Sequence, residues 1–199
     1  MEASARFDRW TALVVADLQN DFADPAGSLS VAGSELVVEE ANAAVAEALA
    51  AGALIVTTQD WHPASTPHFA KDGGIWPVHC VAGSWGAELH PAFHVPDGAP
   101  RVRKGQRGED GYSGFTMRDP VSGQETATEL EPILRDRNIK RVVVCGLATD
   151  YCVKATALDA LRLGFEVVVL ERAVAAVDLE PQDGARALGA LREAGAEIG

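Results

Sequence analysis

The strongest constraint on the fold is a series of short apolar runs that alternate with longer helical segments. The clearest runs cover residues 12–16 (ALVVA), 53–58 (ALIVTT), 141–145 (RVVVC) and 166–170 (EVVVL), and residues 101–104 (RVRK) form a weaker one. Strands that are buried on both faces are continuously apolar, whereas half-exposed strands alternate. The pattern therefore predicts the strands of a buried, parallel sheet.

Helices are predicted between these strands at Gly33–Ala51, Thr126–Arg137, Tyr151–Leu163 and Pro181–Ala194. Strands that alternate with helices require right-handed crossovers, which cover both faces of the sheet. We expect one α/β domain over residues 1–199, built as three α/β/α layers around a central parallel, Rossmann-like sheet.

The composition argues against two classes of binding partner. The formal net charge is -12, which argues against binding to nucleic acid or to an anionic membrane surface. No apolar run reaches the roughly 18 residues of a membrane span, and the start MEASARFDRW lacks the pattern of a secretory signal. We expect a cytoplasmic protein whose three cysteines remain thiols.

Chemically active residues follow the predicted strands. In open α/β sheets, ligands bind beyond the carboxyl ends of the strands. Asp17 follows the first strand, Asp60 and His62 follow the second, and Lys104 ends the third. The irregular stretch 60–100 is long for a loop in a compact domain, and such loops are often functional. These residues are expected to converge at one edge of the sheet.

Cys152 is the candidate nucleophile. It lies in CGLATDYC, after a strand and in the first turn of the next predicted helix. Unpaired N–H groups there would favour a thiolate and could hold an oxyanion. The alternative is a buried structural cysteine. Cys145 lies inside an apolar strand and is expected in the core, whereas Cys80 fits a structural role better than a chemical one.

A cysteine nucleophile that cleaves an amide needs a group to accept and return a proton. His90 and His94 lie in a Pro-rich stretch, so a Cys–His pair has little support. Asp17 is the better base, because a carboxylate at the end of a buried strand is costly without a role. Lys104 could pair with it. The alternatives are a capping aspartate and a surface lysine.

A metal site is indicated by four potential ligands within 20 residues: Asp60, His62, His68 and His79. Carboxylate oxygen and imidazole nitrogen suit Zn, Fe or Mn, and three protein ligands leave positions open. Chance surface or core histidines are the alternative.

Three aromatic residues, Phe22, Trp76 and Tyr112, lie in the same loops. They could form an apolar pocket for a flat ring. Ordinary packing is the alternative.

Six motifs together resemble one known family, the nicotinamidase/pyrazinamidase branch of the isochorismatase-like cysteine hydrolases. They occur in the family's order over nearly the whole chain: VVADLQNDF, TQDWHPASTPHF, IWPVHC, RKG, GYSGF and GLATDYC. A match of this extent is far more specific than a single short motif.

The resemblance implies roles for the residues already singled out. Asp17 would be the base, Lys104 its charge partner and Cys152 the nucleophile. The backbone N–H groups of Ala148 and Cys152 would form the oxyanion hole, and the bond between Leu147 and Ala148 is cis in relatives.

The resemblance also implies one divalent metal ion, held by Asp60, His62 and His79, with His68 as a further ligand in some members. Phe22, Trp76 and Tyr112 would stack against the substrate ring. The choice among Zn, Fe and Mn stays open.

The implied activity is hydrolysis of nicotinamide to nicotinic acid and ammonia through a thioester at Cys152, for NAD salvage, with pyrazinamide as a second substrate. Other amidases, carbamoyl hydrolases and isochorismatases of the superfamily are alternatives, although such relatives generally lack the Asp-x-His metal set. A catalytically inactive small-molecule-binding protein and a redox-sensing thiol protein are further alternatives. The partner is expected to be a small amide, and assembly into a homo-oligomer is left open.

Overall fold

The computed structural model describes residues 6–199, and its centre is a sheet of six strands in the order β3-β2-β1-β6-β7-β8, all parallel. Two further strands, β4 and β5, form a separate antiparallel hairpin. The strands are β1 (Thr11–Ala16), β2 (Leu54–Asp60), β3 (Arg101–Lys104), β4 (Thr116–Arg118), β5 (Glu125–Ala127), β6 (Arg141–Leu147), β7 (Glu166–Ala175) and β8 (Glu197–Ile198).

Five α-helices and three short turns complete the described residues. The helices are α1 (Asn20–Ala23), α2 (Ser34–Ala50), α3 (Leu130–Asp136), α4 (Lys154–Arg162) and α5 (Asp183–Ala194). Two 3-10 turns, Ala70–Asp72 and Trp85–Ala87, interrupt the long loop between β2 and β3, and a π-helical turn, Thr149–Val153, precedes α4. No helix within residues 6–199 has the length and apolarity needed to cross a membrane.

The sheet is covered on both faces, as the apolar runs predict. Successive side chains of a strand point to opposite faces. Leu13 and Val15 of β1 pack into the core cluster that contains the apolar side of α2. Ala12 and Val14 pack into the other cluster, with residues of α3, α4 and α5. The predicted three-layer α/β/α architecture is confirmed.

Three predicted helices begin two or more residues later in the structure than the sequence indicates. The helix expected from Thr126 begins at Leu130, because residues 125–127 pair with β4 instead. The helix expected from Tyr151 begins with the π-helical turn. The helix expected from Pro181 begins at Asp183, since Gln182 has a left-handed backbone with φ of 72°. The sequence predicts that the segment MEASARFDRW is not a secretory signal, and its first five residues lie outside the described residues.

The order of the strands creates a crevice at the centre of the sheet. The chain places β2 and β3 on one side of β1 and places β6, β7 and β8 on the other. Neighbouring crossovers therefore diverge between β1 and β6, at the carboxyl ends of the strands, where open α/β sheets bind ligands. Asp17 follows β1 and Cys152 lies shortly after β6, so both flank this point.

Candidate active site

Asp17 lies directly after β1 and has no exposed surface. Its backbone is left-handed, with φ of 48°, a conformation that aspartate tolerates better than most residues. One carboxylate oxygen accepts a hydrogen bond of 2.6 Å from the hydroxyl of Thr58, and the other accepts one of 2.6 Å from the ammonium of Lys104. The carboxylate is thus held in place from two neighbouring strands.

Lys104 is the last residue of β3 and is completely buried. Besides Asp17, its Nζ donates to Asp60 Oδ1 at 2.5 Å and to the carbonyl oxygen of Gly111. The Sγ atom of Cys152 lies 3.7 Å from the same Nζ. A lysine ammonium has three N–H donors, and two carboxylates and a carbonyl oxygen accept from them. The prediction that Lys104 pairs with Asp17 is confirmed.

The charges in this cluster shift one another's pKa values. Burial disfavours the charge of Lys104, but the carboxylates of Asp17 and Asp60 outweigh it and raise the pKa of Lys104 well above its ordinary value. Burial raises the pKa of Asp17, against the opposing effect of Lys104. Burial also acts on Asp60, but Lys104 and the imidazole of His62 outweigh it and hold the pKa of that carboxyl well below its ordinary value. Asp17 is therefore the carboxyl group better suited to accept a proton.

Cys152 lies in the π-helical turn after β6 and is almost fully buried. Its Sγ and carboxylate oxygens of Asp17 and Asp60 all lie within 4.8 Å of one another. Burial raises the pKa of the Cys152 thiol well above its ordinary value, and Lys104 opposes this shift only in part. Burial therefore works against the thiolate that the sequence favours. The thiol needs a neighbouring base.

The peptide bond between Leu147 and Ala148 is cis, as the family resemblance implies. Ala148 stands between the end of β6 and the π-helical turn. Ala148 and Cys152 line the same cavity, so the two residues expected to hold an oxyanion lie together at the site.

Three histidines, His62, His68 and His79, form a second cluster beside Asp60. One ring nitrogen of each lies within 4.8 Å of the others, and all three are buried. The Oδ2 atom of Asp60 lies 3.8 Å from His62 Nε2 and 3.9 Å from His79 Nε2. The four predicted metal ligands therefore converge, although the long loop separates them in sequence.

The state of the histidines fits a divalent cation. Within residues 6–199, neither ring nitrogen of His62 has a hydrogen-bond partner, and buried polar atoms are seldom left unsatisfied. Burial lowers the pKa of His79 to about 4, which leaves its imidazole neutral, as metal binding requires. Gly105 packs against His62, and a Cβ there would lie 2.4 Å from His62 Cε1.

A small cavity joins the two clusters. Its lining comprises Phe22, Leu29, Val31, Asp60, His68, Trp76, His79, Tyr112, Leu147, Ala148, Tyr151, Cys152 and Val177. All three predicted ring-binding residues are among them, and Trp76 Nε1 donates to the hydroxyl of Tyr112 at 2.8 Å. The cavity thus presents a thiol and three of the four predicted metal ligands within aromatic walls.

Comparison with known proteins decides the family. The isochorismatase domain matches residues 11–199, which include every residue of the site. The chain belongs to the isochorismatase family.

Similar proteins of this family share both sequence and structure with the chain. The nicotinamidase of Escherichia coli (strain K12) is 38% identical, over 94% of this chain and 93% of its own. A pyrazinamidase of Pyrococcus horikoshii, solved in complex with zinc, is 40% identical over 96% and 98% of the two chains, with a TM-score of 0.85. The structure of PnC1 from L. infantum, solved with nicotinate, is 38% identical over 94% and 91%, with a TM-score of 0.84.

Two residues of this isochorismatase-family site, Gln19 and Tyr151, were missed at the level of sequence. Gln19 is completely buried; its side chain donates to the carbonyl of Asp60 at 2.7 Å and accepts from the Asp60 N–H at 2.8 Å. Tyr151 packs edge-on against Trp76, with ring centroids 4.8 Å apart. Gln19 and Tyr151 both lie within the recognised motifs, which were the only signal that could have identified them.

The other two cysteines lie away from this chemistry. Cys145 is in the apolar core, as predicted, and burial raises its pKa to about 12. Cys80 is buried beneath the loop, where its backbone N–H donates to Asp21 at 2.7 Å. Among the described residues, neither sulfur lines the cavity, which supports a structural role for both.

Proposed function

We propose that the chain is a cysteine amidase that hydrolyses nicotinamide to nicotinic acid and ammonia. The observation that carries the proposal is the buried cluster of Asp17, Lys104 and Cys152, whose sulfur faces an aromatic cavity beside three histidines. Similarity to nicotinamidases over nearly the whole chain supports the same substrate. We propose nicotinamide salvage for NAD synthesis as its role, with pyrazinamide also accepted.

In the first stage, Asp17 removes the proton from the Cys152 thiol as the sulfur attacks the carboxamide carbon. The raised pKa of Asp17 suits it to hold that proton. Lys104, already hydrogen-bonded to Asp17 and 3.7 Å from the sulfur, stabilises the developing negative charge. The carbonyl oxygen becomes an oxyanion, which the backbone N–H groups of Ala148 and Cys152 hold.

In the second stage, the carbon–nitrogen bond breaks. The proton on Asp17 passes to the leaving nitrogen, so that ammonia departs and a thioester remains at Cys152. Asp17 then accepts a proton from water as the water attacks the thioester carbon. The carbon–sulfur bond breaks, the carboxylic acid leaves, and Asp17 passes the proton to the sulfur, which restores the thiol and the free carboxylate. Asp17 thus acts once as a base and once as an acid in each of the two half-reactions.

Asp60, His62, His79 and His68 would hold one divalent ion, for which Zn, Fe and Mn are the candidates. When bound, such an ion supplies a Lewis-acid position that a ring nitrogen or water can occupy. The chain's own contribution is the orientation of the substrate: Phe22, Trp76 and Tyr112 provide apolar walls that suit a flat ring.

The nearest alternative is another amidase or carbamoyl hydrolase of the superfamily. The histidine cluster favours the nicotinamidase branch. His68 and His79 line the same cavity as the thiol, and both ring nitrogens of the buried His62 lack a hydrogen-bond partner among the described residues, an arrangement that has no use in a metal-independent reaction.

The test is ammonia release from nicotinamide by the purified protein, before and after chelation and zinc reconstitution, with benzamide as the matched substrate. Benzamide has the same carboxamide but lacks the ring nitrogen. We expect chelated protein to lose activity, zinc to restore it, and benzamide to be a much poorer substrate. Full activity of the metal-free protein, or equal turnover of benzamide, would favour the metal-independent alternative.

A further inference from the structure

Asp110 stands directly behind one of the clustered histidines. Its Oδ1 lies 2.6 Å from His68 Nδ1. His68 lines the inner cavity, whereas Asp110 lines a separate groove on the outer surface. The carboxylate therefore contacts the back of the imidazole and has no direct access to a ligand in the cavity.

A hydrogen bond of this kind fixes the state of an imidazole. A carboxylate that accepts from Nδ1 keeps the proton on that nitrogen, which leaves Nε2 as the atom with a free lone pair. Metal-binding histidines usually have such a partner, which also holds the ring in orientation. His79 has an equivalent contact, because its Nδ1 lies 2.8 Å from the carbonyl oxygen of Pro77.

The position of Asp110 is itself held from two sides. Its backbone N–H donates to the carbonyl of Arg118 at 2.7 Å and its carbonyl accepts from the Arg118 N–H at 3.0 Å. Thr66 joins the two loops, since its hydroxyl donates to the Gly108 carbonyl at 2.7 Å and accepts from the His68 N–H at 3.2 Å. The carboxylate and the imidazole are therefore preorganised against each other.

We propose that Asp110 is a positioning residue of the metal site, which orients His68 through Nδ1 and so makes His68 Nε2 a ligand of the divalent ion. This inference rests on the metal site of the proposed function and assigns to the loop before β4 the task of setting metal affinity. Asp110 acts only through His68.

The experiment measures zinc affinity of the full chain by competition with a chromophoric chelator, for wild type, Asp110→Ala, Asp110→Asn, His68→Ala and the double variant Asp110→Ala/His68→Ala. Removing an outer partner of a metal ligand typically lowers affinity about 10–100-fold, and we expect that loss for Asp110→Ala. Asp110→Asn should lose less, since the amide oxygen still accepts from Nδ1. In the His68→Ala background, Asp110→Ala should cause no further loss.

Glu109→Gln is the matched control. It removes one negative charge from the same loop and keeps an oxygen that can accept from the Arg107 N–H, as Glu109 Oε2 does at 2.8 Å. Its zinc affinity should equal that of wild type, and circular dichroism should show that all variants are folded.

The proposal would be overturned if Asp110→Ala bound zinc as tightly as wild type, or if Glu109→Gln lost as much zinc affinity as Asp110→Ala. It would also be overturned if Asp110→Ala still lowered zinc affinity in the His68→Ala background, or if the wild-type chain bound no zinc. The measurement uses no amide substrate. A chain that binds zinc as expected but does not hydrolyse nicotinamide would therefore refute the proposed function and leave the role of Asp110 intact.

Discussion

Lys104 is the residue on which the electrostatics of the site depend. Its ammonium is the only cation in contact with both Asp17 and Asp60 among the described residues, and none of the three is accessible to more than a few per cent. Two carboxylates so close together would repel each other strongly without it. We therefore expect Lys104 to contribute to folding as well as to the proposed chemistry.

We expect Lys104→Met to destabilise the protein by about 3–5 kcal/mol at neutral pH, because it leaves two buried carboxylates without a counter-ion. In this variant, burial and mutual repulsion raise the carboxyl pKa values above their unfolded values. Stability is then present at low pH and lost as the pH rises through the raised values, so the destabilisation should shrink in acid. Denaturant unfolding at several pH values measures this.

In the wild type, the contribution of Asp60 to stability depends on pH in the opposite direction. Its folded pKa is lowered, so the stability it contributes is present above pH 3.8 and is lost as the pH falls further. Lys71→Met, at a half-exposed lysine, is the control and should have little effect at any pH. Equal stability of Lys104→Met and wild type at neutral pH would contradict the assignment.

Asp17→Asn tests the proton acceptor. The amide keeps the shape of the side chain and can still accept from Thr58, but it cannot take a proton from the thiol. General base catalysis is typically worth about 10²–10⁴-fold, and we expect a loss of kcat in that range with nicotinamide. A variant that keeps more than about a tenth of the wild-type rate would remove Asp17 as the base.

At the scale of elements, the strands were predictable and the short irregular elements were not. The runs at residues 12–16 and 141–145 are continuously apolar, and both are central strands. Neither β4 nor β5 contains a buried residue, so the hairpin leaves no apolar pattern. Its Thr116 is fixed by tertiary contact instead: the hydroxyl donates to Asp159 at 2.8 Å. The π-helical turn around Cys152 has the same composition as an ordinary helix start.

The side chain of Asp150 holds the loop that follows β7. Asp150 accepts hydrogen bonds from the backbone N–H groups of Val177 at 3.0 Å and Asp178 at 2.9 Å. Val177 lines the cavity. The aspartate next to the candidate catalytic turn therefore holds one wall of the binding site.

We expect Asp150→Ala to raise KM for nicotinamide about tenfold, equivalent to about 1.4 kcal/mol, with a smaller change in kcat. The reason is that the loop loses two hydrogen bonds to a charged group while the catalytic cluster keeps its own contacts. Steady-state kinetics separates the two constants. Asp119→Ala, in the exposed hairpin turn, serves as the control, and a fall in kcat at constant KM would contradict this account.

At the scale of the whole molecule, the parallel sheet brings the two clusters together. Strand ends placed Asp17, Asp60 and Lys104 at one edge, and this could be predicted from the alternation of elements and the rule for open sheets. The contacts among these side chains could not be predicted from the sequence. In the structure, one oxygen of Asp60 contacts Lys104 and the other faces the histidines. This arrangement depends on side-chain geometry that no spacing in the sequence encodes.

Asp60 connects the cluster around Lys104 with the cluster of three histidines. Its Oδ1 accepts from Lys104 at 2.5 Å, and its Oδ2 faces His62 and His79. A change at either cluster therefore reaches the other through a single carboxylate. For this reason, substitutions in the two clusters are expected to be non-additive.

The most direct measurement is intact-mass and peptide mass spectrometry of protein quenched during turnover of nicotinamide, with Cys152→Ala as the matched control. We predict a nicotinoyl adduct on Cys152, its absence from Cys80 and Cys145, and neither adduct nor ammonia release in Cys152→Ala, which should remain folded. An adduct on another cysteine, or ammonia release by Cys152→Ala at the wild-type rate, would contradict the account.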